Sequence, residues 1–127
     1  MGYSAVALGT NQSVDAVSPS APTIVSITQT NNTNWDFVAT LPTTDDPGPG
    51  TPLSGMTRLT VASLAMADGV NPFEGLSMDQ ILAMNSPDVR HVSVTPEMAG
   101  LNVTVNVPVL NLGGFQAFAC AVTDATV

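Results

Sequence analysis

The sequence predicts an all-β fold, an antiparallel β-sandwich carrying one short helix, and two observations predict it. The first is Leu101 to Leu110, which reads Leu-Asn-Val-Thr-Val-Asn-Val-Pro-Val-Leu. Leu101, Val103, Val105, Val107 and Val109 fall on one side, and Asn102, Thr104, Asn106 and Pro108 on the other. Strict period-two alternation with β-branched residues on the apolar face marks a half-buried antiparallel strand. A helix would scatter those valines around its circumference. The second observation is recurrence: short segments of the same kind follow one another, separated by turn clusters.

Residues 1–22 (MGYSAVALGTNQSVDAVSPSAP) are small, polar and punctuated by proline. They read as an extended N-terminal arm, with one short strand around Ser4 to Leu8. Thr23 to Thr30 is a strand anchored by Ile24 and Val25. Asn31-Asn32-Thr33-Asn34 is a turn cluster. Trp35 to Leu41 alternates again, with Trp35, Phe37, Ala39 and Leu41 on one face. Thr43 to Gly55 contains Asp45-Asp46-Pro47-Gly48-Pro49-Gly50 and is a loop by composition.

Met56 to Leu64 reads as a strand with Leu59 and Val61 inward, and Asp68 to Gly75 as a connection. Ser77 looks like a helix N-cap, with Gln80 three residues on as its capping-box partner. A helix of about two turns is expected over 78–84, turning Ile81, Leu82 and Met78 toward the sheets. Val89 to Val94 is a strand with Arg90, Val92 and Val94 on one side, and Pro96 to Gly100 is a turn. Pro108 has no N–H to give a ladder, which suits a strand end or an edge. Asn111-Leu112-Gly113-Gly114 turns the chain into a last strand at Phe115 to Thr123.

Composition narrows the function. The 127 residues suffice for one domain and one core. Charged residues make up 9%, against about 25% in ordinary soluble proteins. Two Arg, no Lys and ten acidic residues give a net charge of −8. Such a chain has little means of holding phosphates, so neither nucleic acid nor an anionic membrane is an expected partner. With 44% hydrophobic residues it is not a disordered polar chain. A surface so poor in charge suggests burial in an assembly. Residues 1–20 lack the basic start and compact apolar block of a secretory signal. No run approaches the ~20 apolar residues of a membrane span. Synthesis in a cytoplasm is therefore expected.

No residue cluster names a catalytic chemistry, and no cofactor is expected. His91 is the single histidine and reads as an ordinary strand residue, because no Cys or His partners stand at metal-ligand spacing. Asp45-Asp46 lacks the spaced oxygen ligands of a calcium loop. Cys120 is the single cysteine and reads as a small core residue. Asn31-Asn32-Thr33 and Asn102-Val103-Thr104 match glycosylation sequons but read as chance matches in a Thr- and Asn-rich chain. Trp35 and Phe37 could stack on a sugar, yet their alternation with Ala39 and Leu41 assigns them to the core.

The last third resembles the closing hairpin of fibronectin type III and related immunoglobulin-like sandwiches. The resemblance rests on the alternating strand ending at Leu110, the corner at Asn111 to Gly114, and Phe115, Phe118, Cys120 and Val122 leading to Asp124. It covers about 30 residues well, and the remainder by strand count. Two departures stand out. The family's corner tyrosine is absent, with Phe115 and Gln116 in its region. The family's final strand, which would follow Phe115 to Thr123, is also missing before Val127. The resemblance therefore implies an immunoglobulin-like sandwich over 23–127 with an unpaired edge, a liability that proteins cover. The cover is expected from the arm or from another copy.

These features together lead to an expected function: a non-enzymatic structural protein of a virus particle. The closest description is a phage capsid decoration (cement) protein or a small tail or fibre component. It would attach by strand pairing and apolar contacts to a major capsid or tail protein and to copies of itself. Expected interface residues are Tyr3, Val6, Leu8, Val14 and Val17 on the arm, and Phe115, Ala117, Ala119 and Ala121 on the open edge. The expected location is the virion. The alternative is a cell-surface adhesion or glycan-binding module of a prokaryote.

Overall fold

The computed structural model describes residues 7–10, 14–15, 22–41, 57–66 and 71–124. Among them, in chain order, lie β1 (Ala7–Thr10), β2 (Val14–Asp15), β3 (Thr23–Gln29), β4 (Asn34–Thr40) and β5 (Thr57–Met66). Helix α1 (Met78–Ala83), β6 (Asp88–Val94), a 3-10 turn (Pro96–Met98), β7 (Asn102–Pro108) and β8 (Phe115–Asp124) complete the order. Every pairing is antiparallel. The strands form a five-stranded sheet, β2-β1-β8-β5-β6, and a three-stranded sheet, β3-β4-β7. The expected all-β sandwich is the observed fold.

Alternation builds the interior. Trp35, Phe37 and Ala39 of β4, Val105 and Val107 of β7, Leu59 and Val61 of β5, and Phe118, Cys120 and Val122 of β8 bury together. Phe118 is the meeting point of the two sheets. Trp35 meets it edge-on with ring centroids 6.0 Å apart, and Phe37 lies 5.7 Å away. Such pairs add ~0.5–1.5 kcal/mol beyond the burial of area. Pro108 ends β7, which is an edge strand, so its missing N–H interrupts no ladder.

Two expected inward residues face out instead. Val25 is 50% exposed because its neighbour Ile24 takes the inward place and successive strand side chains point to opposite faces. The register shift between Ile24 and Ser26 then returns Ile27, opposite Phe37, to the core side. Leu101 is 55% exposed because the regular strand starts only at Asn102. Its backbone is committed to the preceding turn, donating to the Met98 carbonyl and accepting from Leu41 N–H.

The five-stranded sheet is covered on its second face as well. Ala117, Ala119 and Ala121 point away from the sandwich interior and pack with Ala62, Phe73, Met78 and Ile81. Alanines keep the sheet surface low, so Phe73 and α1 can lie close against it. This cover comes from the connection between β5 and β6. The capping box expected at its helix is present. Gln80 N–H donates to Ser77 Oγ at 3.2 Å, and Ser77 N–H donates to Gln80 Oε1 at 2.8 Å. Met78 and Ile81 are buried and Leu82 partly so. Ser77→Ala is expected to cost ~1 kcal/mol, read as a lower urea midpoint with an unchanged slope.

The place beside β8 in the five-stranded sheet is occupied by β1. The register is Ala7↔Cys120, Leu8↔Ala119, Gly9↔Phe118 and Thr10↔Ala117. The edge expected to be open at Phe115 to Thr123 is therefore covered over Ala117 to Cys120, where β8 lies between β1 and β5. The arm's own strand fills it over Ala7–Thr10; Ser4 to Val6 of the strand expected around Ser4 to Leu8 lie outside the described residues. β2, which was not anticipated, pairs back on β1 through Leu8↔Asp15 and Gly9↔Val14.

Candidate functional site

The residues expected to form interfaces separate on inspection. Leu8 and Val14 lie in β1 and β2, inside the five-stranded sheet. Tyr3, Val6 and Val17 lie outside the described residues, as does the loop carrying Asp45-Asp46. Ala117, Ala119 and Ala121 are fully buried beneath Phe73 and α1, and Phe115 is half-buried. The arm strand and the β8 strand are brought together, but by pairing with each other.

The corner between β7 and β8 holds a connected network of polar contacts. Gly113 takes φ +79°, which side-chain-bearing residues rarely adopt. A Cβ on Gly114 would run into the Asn111 side chain. Gly114 N–H donates to the Asn111 carbonyl at 2.9 Å, and Asn111 Nδ2 donates to the Phe115 carbonyl at 3.3 Å. This turn delivers Gln116 into the interior, where it is fully buried.

Both ends of the Gln116 amide are used. Its Oε1 accepts from Trp35 Nε1 at 3.1 Å and from Leu110 N–H at 2.9 Å. Its Nε2 donates to Ser63 Oγ at 2.7 Å and to the Pro108 carbonyl at 2.8 Å. Ser63 Oγ in turn donates to the Ala117 carbonyl at 3.0 Å. One amide thus ties the corner backbone to β5 and to the opposite sheet. A sequence signal existed: an amide at an inward position of an otherwise apolar strand must be satisfied internally.

The same corner turns two leucines outward. Leu112 is 61% exposed and Leu110 39%. Neither had been singled out from the sequence, where both read as ordinary strand-end or turn residues. Their exposure follows from the geometry, since the inward places at this end belong to Gln116 and Val107.

Charge is unevenly placed. Both arginines and the single histidine stand on the paired strands β5 and β6, at one edge of the five-stranded sheet. Arg58 Nη1 lies 3.3 Å from His91 Nε2. A guanidinium only donates, so in this contact the imidazole nitrogen accepts. Arg90 Nε is 2.7 Å from Asp88 Oδ1, and this hydrogen bond and the carboxylate charge raise the arginine's pKa against slight desolvation. The pair is exposed, so its net stabilisation is small.

The outer face of the three-stranded sheet carries hydroxyls and amides. Cross-strand rows run Thr23, Thr40, Asn102; Ser26, Val38, Thr104; and Thr28, Asp36, Asn106. Thr40 Oγ1 donates to Asn102 Oδ1 at 2.6 Å, and Asn106 Nδ2 reaches Asp36 Oδ1 at 3.5 Å. Trp35 and Phe37 are buried on the other side of this sheet, so no aromatic platform from β4 faces outward.

Cys120 is fully buried, and desolvation pushes its thiol up to about 12 from an ordinary 9.0. In the unfolded chain it ionises near the ordinary value, so there the unfolded state binds fewer protons than the folded one. Stability should therefore fall as pH rises from about 9 to about 12, by at most ~1.4 kcal/mol per pH unit. Urea midpoints at pH 8 and pH 10.5 should converge for Cys120→Ala relative to the parent; equal pH slopes would show the thiol is not responsible.

Among the described residues, no three of His, Cys, Asp or Glu gather to hold a metal ion. Among the same residues, no helix is long and apolar enough to cross a membrane. No protein-family model matches the chain, and neither a curated protein nor a solved structure matches it.

Proposed function

We propose that the chain is a non-enzymatic structural protein of a virus particle, a phage capsid decoration protein or a small tail or fibre component. The observation that carries this reading is the β7–β8 corner. There Leu110 and Leu112 stand exposed on a turn whose backbone is anchored inside the sandwich by Gln116. Apolar side chains held on a rigid support suit attachment to a complementary surface. A chain of 9% charged residues supports the same reading, because contacts with neighbours would desolvate few ions. Many copies, each held weakly, would together attach firmly. The partners are a major capsid or tail protein and further copies of the chain.

The test has two parts. Mass spectrometry of purified particles should find the chain in fixed stoichiometry with the capsid or tail protein. The double substitution Leu110→Ser and Leu112→Ser should then reduce reattachment to stripped particles at least tenfold without lowering the melting temperature. Absence from particles would end the virion reading; full reattachment of the variant would remove the corner from the interface. A second reading, a prokaryotic surface module that binds glycans, is favoured by the uncovered hydroxyl and amide rows on the three-stranded sheet. Binding on a glycan array that is lost on Thr104→Val would favour it over the first.

A further inference from the structure

We propose that β1 is an exchangeable strand: it pairs with β8 of its own chain at low concentration and with β8 of a second copy when copies are crowded together. The proposal holds or fails whether or not the copies sit on a virus particle.

The unequal ladders around β8 are the first ground. On one side β5 pairs with β8 over its full length, from Thr57↔Asp124 to Met66↔Phe115. On the other side β1 contributes four residue pairs among the described residues, one of them through Gly9. Glycine in a strand has no side chain to pack and loses more entropy on ordering. Short ladders of this kind open locally at a fraction of the global unfolding free energy. β2 would not hold β1 back, because among the described residues β2 pairs with β1 alone. The two strands therefore leave together.

What they uncover is the second ground. Ala117, Phe118, Ala119 and Cys120 are fully buried in the closed state. Opening would bare their backbone edge between two apolar clusters, one on each face of β8. Unpaired backbone there costs ~1–3 kcal/mol per group, so the edge will accept a strand of matching register. Another copy supplies that strand with identical side chains. Pairing within and between chains then differs only through the connection, residues 11–22, and the concentration of copies. A short tether gives an effective concentration on the order of mM. Exchange should accordingly be rare at micromolar protein and substantial near millimolar, or wherever copies are held side by side.

Cross-linking at the register pair Thr10↔Ala117 reads the exchange directly. Two variants are prepared, both with Cys120→Ala: one carries Thr10→Cys and the other Ala117→Cys. They are mixed near 1 mM, taken through partial unfolding in urea, returned to buffer and oxidised. Disulfide-linked heterodimers should exceed either homodimer by at least fivefold, and should fall away when mixing is done at ~10 μM. A single chain carrying both cysteines should close an internal disulfide and then stay monomeric at 1 mM. For the unmodified chain, native mass spectrometry of a mixture of light and heavy-isotope protein at 1 mM should show mixed dimers. Monomers alone in that spectrum would overturn the proposal. So would an internal disulfide that forms readily while heterodimers do not exceed homodimers.

Discussion

Gln116→Met is expected to destabilise the protein by about 3–5 kcal/mol, close to the whole stability of a marginal domain. The replacement has nearly the same length and fits the same space, so the loss measures hydrogen bonding more than volume. Trp35 Nε1 and Leu110 N–H would lose their acceptor, and the Pro108 carbonyl and Ser63 Oγ a donor. Each buried group left without a partner costs ~1–3 kcal/mol. Water at the half-buried corner would relieve the Leu110 and Pro108 groups, which keeps the sum below the maximum. Trp35 and Ser63 lie inside and have no such relief. Urea unfolding followed by circular dichroism gives the number. A double-mutant cycle with Trp35→Phe should show coupling of 1 kcal/mol or more, since that substitution removes the indole donor. A loss under 1 kcal/mol for Gln116→Met would mean the network is incidental to the fold.

The parts of this fold that were legible in the sequence are those where one face meets the core and the other meets solvent. Val105 and Val107, or Trp35 and Phe37, alternate with polar residues because their strands are covered on one side. β8 hides its logic better. It is buried on both faces, so its run Ala117 to Val122 shows small residues toward α1 and large ones toward β4 rather than an apolar–polar rhythm. Ile24 and Val25 cannot both anchor β3, because neighbours in a strand face opposite sides, and Ile27 joins Ile24 inside through a register shift that composition does not reveal. The partner of β8 could not be settled from patterning at all. Ala7–Thr10 is too short and too weakly apolar to declare itself, and pairing across more than a hundred residues leaves no local signature. The corner leucines escaped notice for a related reason, because an exposed Leu beside a buried Gln inverts the usual rule, and only the hydrogen bonds of Gln116 explain it.

Deleting residues 1–10 should weaken the fold rather than trim a dispensable tail. β1 is the partner of β8 over Ala117 to Cys120, in the middle of the five-stranded sheet. Its removal breaks a four-residue antiparallel ladder whose hydrogen bonds each contribute ~0.5–1.5 kcal/mol net. It also strips the cover from backbone lying between two apolar clusters, and it leaves β2 without the strand it pairs with. A total loss of about 3–5 kcal/mol is expected, lowering the urea midpoint by ~1–3 M for slopes usual in small proteins. The new edge, Ala117 to Cys120, is apolar and unpaired, so the shortened chain should self-associate as concentration rises. A synthetic peptide covering residues 1–12 should raise the midpoint again, because it can occupy the vacated edge in the same register. A shortened chain that stays monomeric and melts with the parent would show that β8 does not depend on β1, and the strand-completed sandwich would have to be abandoned.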